Sequence, residues 1–121
     1  MMRGRNQVLI TRWQSRPASE ISLCSVVISE LLFGALRSAK VGSQLFAVAN
    51  FILPYRSLPF DDVAADHHAR IRADLAQKGI SIGPHDSQIA AIALAHKLTV
   101  VTHNVSEFSR VPGLTIEDWQ V

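Results

Sequence analysis

Three acidic side chains lie next to apolar runs of the sequence and are the strongest candidates for chemistry. Glu30 follows a β-branched run, Asp86 lies at the start of a predicted helix, and Glu107 follows the run LTVV. Carboxylates within a few Å of one another repel, which raises their pKa values unless a cation compensates. Hard oxygen ligands favour magnesium or manganese, and such an ion polarises a phosphoryl oxygen and lowers the pKa of a bound water. The three acids therefore indicate a divalent-metal site suited to hydrolysing a phosphodiester.

Each of these acids also has a purely structural interpretation. Glu30 and Asp86 lie where an acid in the first turn of a helix complements the helix dipole. Glu107 could be a solvated loop acid. Thr102 and Asn104 end the LTVV run and are typical turn formers, since Asn tolerates the left-handed backbone region and bonds its own backbone. The spacing alone leaves the catalytic and the structural interpretation open.

Histidine offers a second kind of metal site. None of the five histidines lies in a recognised zinc spacing, and the chain has neither an HExxH pattern nor a pair of cysteines. His67 and His68 are adjacent and point in different directions on a helix, so His68 is better explained as a core or boundary residue. Phosphate-loop, dinucleotide-binding and nucleophile-elbow signatures are missing as well. The histidines considered as nitrogen ligands are His67, His68, His85, His96 and His103.

The stretch Gly83–Phe108 must position two of the three acids. Pro84 suits the first turn of a helix, and Asp86 just inside that turn complements the dipole. The following IAAIALA is apolar nearly all round, which predicts a helix covered on most sides. The run LTVV is typical of a strand buried on both faces of a parallel sheet. Ligands bind outside the carboxyl ends of such strands, so Asn104 and Glu107 lie where a site can form.

Strand-like and helical patterns alternate along the rest of the chain. This alternation predicts one domain with an α/β fold, a three-layer α/β/α sandwich with a mostly parallel sheet. Cys24 within the first strand is expected to be a small core residue. The predicted elements are an amphipathic helix closed by Pro17, a strand at Ile21–Val27, helices at Ile28–Ala39, Ser43–Ile52 and Asp61–Lys78, and strands at Tyr55–Phe60, Leu98–Val101 and Leu114–Ile116.

Composition limits the classes of protein to which the chain can belong. Its 121 residues, 48% apolar and 18% charged, suit a single globular domain, and no apolar run is long enough to cross a bilayer. A single cysteine excludes an internal disulfide, and no secretory signal is evident, so the cytoplasm is expected. A net charge of +2 permits an anionic partner. The early arginines are better explained by a solvated helix face than by nucleic-acid contact; they are Arg3, Arg5, Arg12 and Arg16.

Two stretches of the chain resemble the PIN-domain family, specifically the VapC-type toxins of bacterial toxin–antitoxin pairs. They are SVVISELLFGALRSA at residues 25–39 and IRADLAQKGISIGPHDSQIAAIALAHKLTVVTHNVSEFSRVPGLTIEDW at residues 71–119. The resemblance implies a magnesium- or manganese-dependent endoribonuclease that cuts structured RNA such as tRNA or rRNA. It also implies a homodimer and a small antitoxin that inserts a segment near the site. It assigns metal-site positions to Glu30, Asp86 and Glu107, and supporting positions to Thr102 and Asn104.

One departure from the family pattern accompanies this resemblance. A family member ordinarily opens with a short apolar strand ending in Asp, which supplies another metal ligand and a central strand. The present sequence has no such segment, and its start resembles the helix and loop that would follow it. Without a central strand the neighbouring strands lose ladder partners. The alternative function is therefore a degenerate, non-catalytic PIN domain that binds an antitoxin or associates with itself.

Overall fold

Helices alternate with short parallel strands along the chain. The structure is a computed structural model that describes residues 4–120, with side chains from residue 8 onward. No helix in this part of the chain is long and apolar enough to cross a membrane. The elements are α1 (Gly4–Gln14), β1 (Ser22–Cys24), α2 (Ser25–Leu36), α3 (Val41–Ile52), β2 (Arg56–Leu58), α4 (Asp62–Gln77), α5 (Pro84–His96), β3 (Val100–Val101), α6 (Val105–Phe108) and β4 (Ile116–Glu117).

The strands confirm the predicted α/β class with parallel pairing. β1 runs parallel to β2, with Cys24 opposite Leu58, and β3 runs parallel to β4, with Val100 opposite Ile116. Helical connections separate the partners of the first pair, as parallel pairing requires. Within residues 4–120 the strands form two separate two-stranded sheets, since no ladder joins β1 to β3. The space between these two strands is a cleft of about 480 Å³, named here the strand cleft.

Helix α5 forms the centre of the hydrophobic core. Ala90 and Ala91 are completely buried, and Ile92 is 2% exposed, so the helix is covered on several sides as IAAIALA predicts. Short alanine side chains allow neighbouring helices to approach closely, which suits the contact between α5 and α4. Two groups of buried residues meet at this helix. One contains Ile71, Leu75, Val100, Phe108 and Val111, and the other contains Cys24, Leu58 and Ala64.

The predicted strand Ile21–Val27 is too long at its carboxyl end. The strand stops at Cys24 and α2 begins at Ser25, so the predicted helix Ile28–Ala39 starts three residues too late and overruns Leu36. The β-branched Val26 and Val27 belong to the helix because they pack against the core beside Cys24, and this packing outweighs their preference for strands. Glu30 consequently lies beyond the first turn of α2, which contains no acid. Its interpretation as a residue that complements the helix dipole is therefore wrong.

The prediction that Leu98–Val101 is a strand buried on both faces is also wrong. Only residues 100 and 101 form the strand, and Val101 is 39% exposed although Val100 is buried. Val101 lines the strand cleft, where no described strand covers it. The strands predicted at Tyr55–Phe60 and Leu114–Ile116 are present in shortened or shifted form as β2 and β4.

The early arginines contact the end of the chain. The Arg12 guanidinium donates to the carbonyl oxygen of Asp118 at 2.9 Å, and the Arg16 guanidinium lies 5.2 Å from the ring centre of Trp119. These contacts favour a structural role for the two residues over contact with nucleic acid. Arg3 lies outside the described residues, and the side chain of Arg5 is not described.

Both ends of α4 follow from the sequence. Asp61 is the N-cap, and its Oδ1 accepts a hydrogen bond from the backbone N–H of Ala64 at 3.0 Å. Gly79 ends the helix with φ +68°, a conformation that glycine adopts without steric cost. The predicted helix Asp61–Lys78 is thereby confirmed to within one residue at each end.

We predict that Asp61→Ala lowers the free energy of unfolding by about 1 kcal/mol, because the N–H of Ala64 loses its acceptor. Chemical denaturation followed by circular dichroism measures this change. Asp61→Asn is the matched control, since Asn caps helices about as well as Asp, and it should leave stability nearly unchanged. Equal losses in the two variants would show that the charge of Asp61, not its cap, stabilises the helix.

Candidate active site

Two helix starts and one strand end place Asp86, Asn104 and Glu107 together. Asp86 lies in the first turn of α5 after Gly83, where the sequence predicts it. Beyond β3, the Oγ1 of Thr102 accepts a hydrogen bond from the backbone N–H of Asn104 at 2.9 Å. Asn104 is the N-cap of the short helix α6, which carries Glu107. The description of Glu107 as a loop acid is therefore wrong, and Thr102 fixes the turn that presents Asn104.

The Asn104 side chain bridges the two carboxylates. Its Nδ2 donates to Oδ2 of Asp86 at 3.3 Å and to Oε2 of Glu107 at 2.6 Å. Ionised carboxylates only accept hydrogen bonds, so the nitrogen and not the oxygen of the amide must face them. The other oxygen of Glu107, Oε1, accepts from the backbone N–H of Gly83. A β-carbon on Gly83 would lie only 3.1 Å from this oxygen, which gives a reason for glycine here.

The surroundings shift the pKa values of the two carboxyl groups in opposite directions. Burial raises the pKa of Asp86, and the nearby charge of Glu107 raises it further, while the Asn104 amide opposes the change. The N–H of Gly83 lowers the pKa of Glu107, helped by the same amide. Asp86 is thus the more basic member of a close pair, and Glu107 is held in its ionised form.

Glu30 lies apart from this pair. Its carboxylate is exposed on α2 and contacts Nδ1 of His85, the residue before Asp86. Within the described part of the chain, no group of three or more His, Cys, Asp or Glu residues is arranged to hold a metal ion. The structure therefore brings Asp86 and Glu107 together through Asn104, whereas Glu30 contacts His85. The site of three acids stays a prediction.

Ser87 is a supporting residue that the sequence analysis missed. Its hydroxyl donates to the carbonyl oxygen of Pro84 at 2.8 Å and lies 3.0 Å from Nε2 of His68. Because the hydroxyl proton points to Pro84, the Nε2–H of His68 must be the donor in the second bond. These bonds tie the first turn of α5, which carries Asp86, to α4. The sequence signal that could have identified Ser87 is its position as a small polar residue directly after Asp86 at the start of a helix.

The paired carboxylates have the chemistry that suits a hard divalent cation. Hard cations prefer carboxylate and carbonyl oxygens, and magnesium is often held by one or two carboxylates together with water. Asp86 and Glu107 supply such oxygens. Burial and then the nearby charge of Glu107 raise the pKa of Asp86, and a cation would offset that charge. The donor set present therefore fits a hard divalent cation.

Comparison with known proteins gives one consistent match. Residues 1–114 match the PIN domain. The tRNA(fMet)-specific endonuclease VapC of Salmonella typhimurium is 43% identical over 101 residues, which cover 84% of this chain and 76% of the relative. The crystal structure of DNA-bound VapBC from Salmonella typhimurium superposes with a TM-score of 0.88 at 39% identity, covering 93% of this chain and 85% of that one. VapBC-5 from Mycobacterium tuberculosis, a member of the VapBC family of toxin–antitoxin systems, gives a TM-score of 0.68 at 30% identity and covers 80% and 79%.

We predict that Asn104→Ala raises the pKa of both Asp86 and Glu107. The amide donates to both groups and favours their charged forms, so its removal makes each carboxyl group easier to protonate. Titration of the side-chain carboxyl carbons by NMR measures both shifts. Asn50→Ala is the matched control, because the Asn50 side chain bonds within α3, to the carbonyl oxygen of Phe46. Unchanged titration of Asp86 and Glu107 in the Asn104 variant would contradict the bridging role.

Proposed function

This chain belongs to the PIN-domain family, and we propose that it is the endoribonuclease toxin of a toxin–antitoxin pair. It hydrolyses phosphodiester bonds in structured RNA. One observation carries the proposal: two carboxylates from separate elements, Asp86 and Glu107, share the amide of Asn104 beyond the carboxyl end of β3. Ligands bind at this edge of parallel sheets, and paired carboxylates are what a phosphodiester-cleaving metal site needs.

The residues of the pair have distinct parts in the proposed reaction. Asp86 and Glu107 would hold magnesium or manganese, which lowers the pKa of a bound water and polarises a phosphoryl oxygen. Gly83 and Asn104 keep Glu107 ionised and fixed in orientation. The pKa of Asp86 is raised by burial and by the nearby charge of Glu107, so the charge of a bound cation would stabilise its ionised form. Glu30 is proposed as a third acid that would help to hold the cation, and it contacts His85, the residue before Asp86.

A transfer RNA is the proposed substrate class. The relative from Salmonella typhimurium carries tRNA(fMet)-specific activity in its name, so an initiator tRNA is the first substrate to test. The net charge of +2 on this chain favours an anionic substrate without selecting one. Ribosomal RNA is the second structured RNA to test.

A protein partner is proposed for the hairpin of α2 and α3. These adjoining helices expose large apolar side chains, among them Phe33 at 56% and Phe46 at 72%. Apolar surface of this kind marks a protein interface more often than it faces water. We propose that this apolar surface binds a small antitoxin or a second copy of the chain in a homodimer.

Cys24 is a free thiol. A free thiol suits the reducing cytoplasm, where we place this toxin and its antitoxin.

A second candidate function is a non-catalytic PIN domain that only binds its antitoxin or itself. The position of Glu30 favours it, because this carboxylate contacts His85 and not the Asp86–Glu107 pair. The two candidates differ in one measurable property, which is metal-dependent cutting of RNA.

We predict that the chain cuts initiator tRNA in the presence of magnesium or manganese. Asp86→Asn and Glu107→Gln should each lower the cleavage rate by about a hundredfold or more, since each removes a charge placed for the transition state. A gel assay with end-labelled tRNA under single-turnover conditions measures the rates. Asp66→Asn is the matched control, because it removes one carboxylate charge that is exposed and paired with Arg70 within α4.

Two outcomes of this assay would contradict the proposal. Equal cutting by the wild type and the two site variants would assign the activity to a contaminant or to another site. A chain that cuts neither tRNA nor rRNA with either metal, yet still binds an antitoxin, would establish the non-catalytic function.

A further inference from the structure

A pocket smaller than the strand cleft lies between the beginnings of α2 and α5, two helices that pack against each other. Its volume is about 220 Å³, and it is named here the polar pocket. The residues that line it are Ser25, Val26, Ser29, His85 and Gln88. Four of these five side chains can form hydrogen bonds, and none of the five is Asp, Glu, Lys or Arg.

Helical periodicity brings the polar side chains of this pocket together. Ser25 and Ser29 are four residues apart on α2, and His85 and Gln88 are three residues apart on α5. Residues at these spacings lie on one face of a helix. One face of each helix therefore builds the pocket, and regular backbone positions all four polar side chains.

These side chains can still form hydrogen bonds with a ligand. Within residues 4–120, the side chains of Ser25, Ser29 and Gln88 make no hydrogen bond to the protein, although Gln88 is half-buried. Nδ1 of His85 contacts the carboxylate of Glu30. Because an ionised carboxylate only accepts, Nδ1 carries the proton, and Nε2 of the neutral ring is an acceptor. Two hydroxyls, one amide and one ring nitrogen thus offer both donors and acceptors.

This lining suits a neutral polar group that is part of a larger molecule. Among the described residues, no Lys or Arg lines the pocket to pair with a phosphate, and no carboxylate lines it to hold a hard cation. Its volume is below the roughly 300–1,000 Å³ of pockets that enclose a drug-sized ligand. A nucleobase is a group of this kind, since its edge carries donors and acceptors side by side and its face stacks on histidine.

The polar pocket adjoins the candidate active site. Asp86 lies between His85 and Gln88 in the first turn of α5. On α2, Glu30 directly follows Ser29. Residues 85–88 extend over only about 5 Å of the helix axis. An RNA whose phosphodiester reaches Asp86 therefore has its neighbouring nucleotide within reach of the pocket.

We infer that the polar pocket binds one unpaired base of the substrate RNA, an adenine next to the bond that is cut. The amide of Gln88 is a donor and an acceptor at once, and this side chain type pairs with the N6–H and N7 of adenine. The imidazole of His85 stacks on the base, as aromatic rings do on unpaired bases of RNA. The inference rests on the proposed cleavage of RNA and adds base selection to it.

A binding experiment without metal separates base recognition from cutting. The probe is a short fluorescein-labelled RNA backbone that carries one central adenine and no other base, and the comparison strand carries no base at all. Fluorescence anisotropy in the presence of EDTA measures both affinities. The wild type should bind the adenine strand about tenfold more tightly or better, since a bidentate contact to a base discriminates by at least that factor.

Gln88→Leu tests the same contact from the protein side. It removes the amide, so it should bind both strands with the affinity that the wild type has for the strand without bases. Gln77→Leu is the matched control, because it makes the same change at an exposed position of α4 that does not line the pocket. It should keep the preference for adenine. Circular dichroism verifies that both variants fold, and the comparison of the two strands needs no substitution.

Two results would overturn the inference. Equal affinity of the wild type for the two strands, or binding of neither, would show that the pocket takes no base. An undiminished preference for adenine in Gln88→Leu would place the base elsewhere. Either result can occur while the chain still cuts initiator tRNA, so the inference can fail with the proposed function intact. A preference for adenine that depends on Gln88, in a chain that cuts no RNA, would support the pocket and contradict the cutting function.

Discussion

Two carboxylates that repel each other are held together by one amide, and the candidate site depends on this constraint. The amide of Asn104 reaches both Asp86 and Glu107, and the backbone N–H of Gly83 holds the far oxygen of Glu107. These donors compensate part of the repulsion but not all of it, since the pKa of Asp86 remains raised by burial and by Glu107. The remaining negative charge is what suits the pair to a hard divalent cation.

The fold supplies this constraint through α5 and β3. The buried alanines of α5 fix the helix in the core, and its first turn carries Asp86, which the bonds of Ser87 to Pro84 and His68 hold in place. β3 places the turn of Thr102 and Asn104 beside the first turn of α5. The same strand lines the strand cleft together with β1, so the site lies beyond the carboxyl end of a strand that borders this cleft.

Local patterns predicted the elements that carry strong local signals. Pro84 and Asp86 marked the start of α5, and Asp61 and Gly79 marked the ends of α4, because caps and dipoles act over a single turn. The boundary between β1 and α2 was not predicted. Packing of Val26 against the core decides it, and the local sequence preference of Val26 does not. The contact of Glu30 with His85 likewise could not be predicted from local patterns, because it joins two segments that only the folded chain brings together.

The central claim is that Asp86 and Glu107 form one cation-binding unit. Calorimetric titration with Mn²⁺ tests it most directly, comparing the wild type with Asp86→Asn, Glu107→Gln and the surface control Asp66→Asn. We expect one bound ion per chain, with affinity lowered by about tenfold or more in both site variants and unchanged in the control. Binding of Mn²⁺ that is equally tight in all four proteins would contradict it.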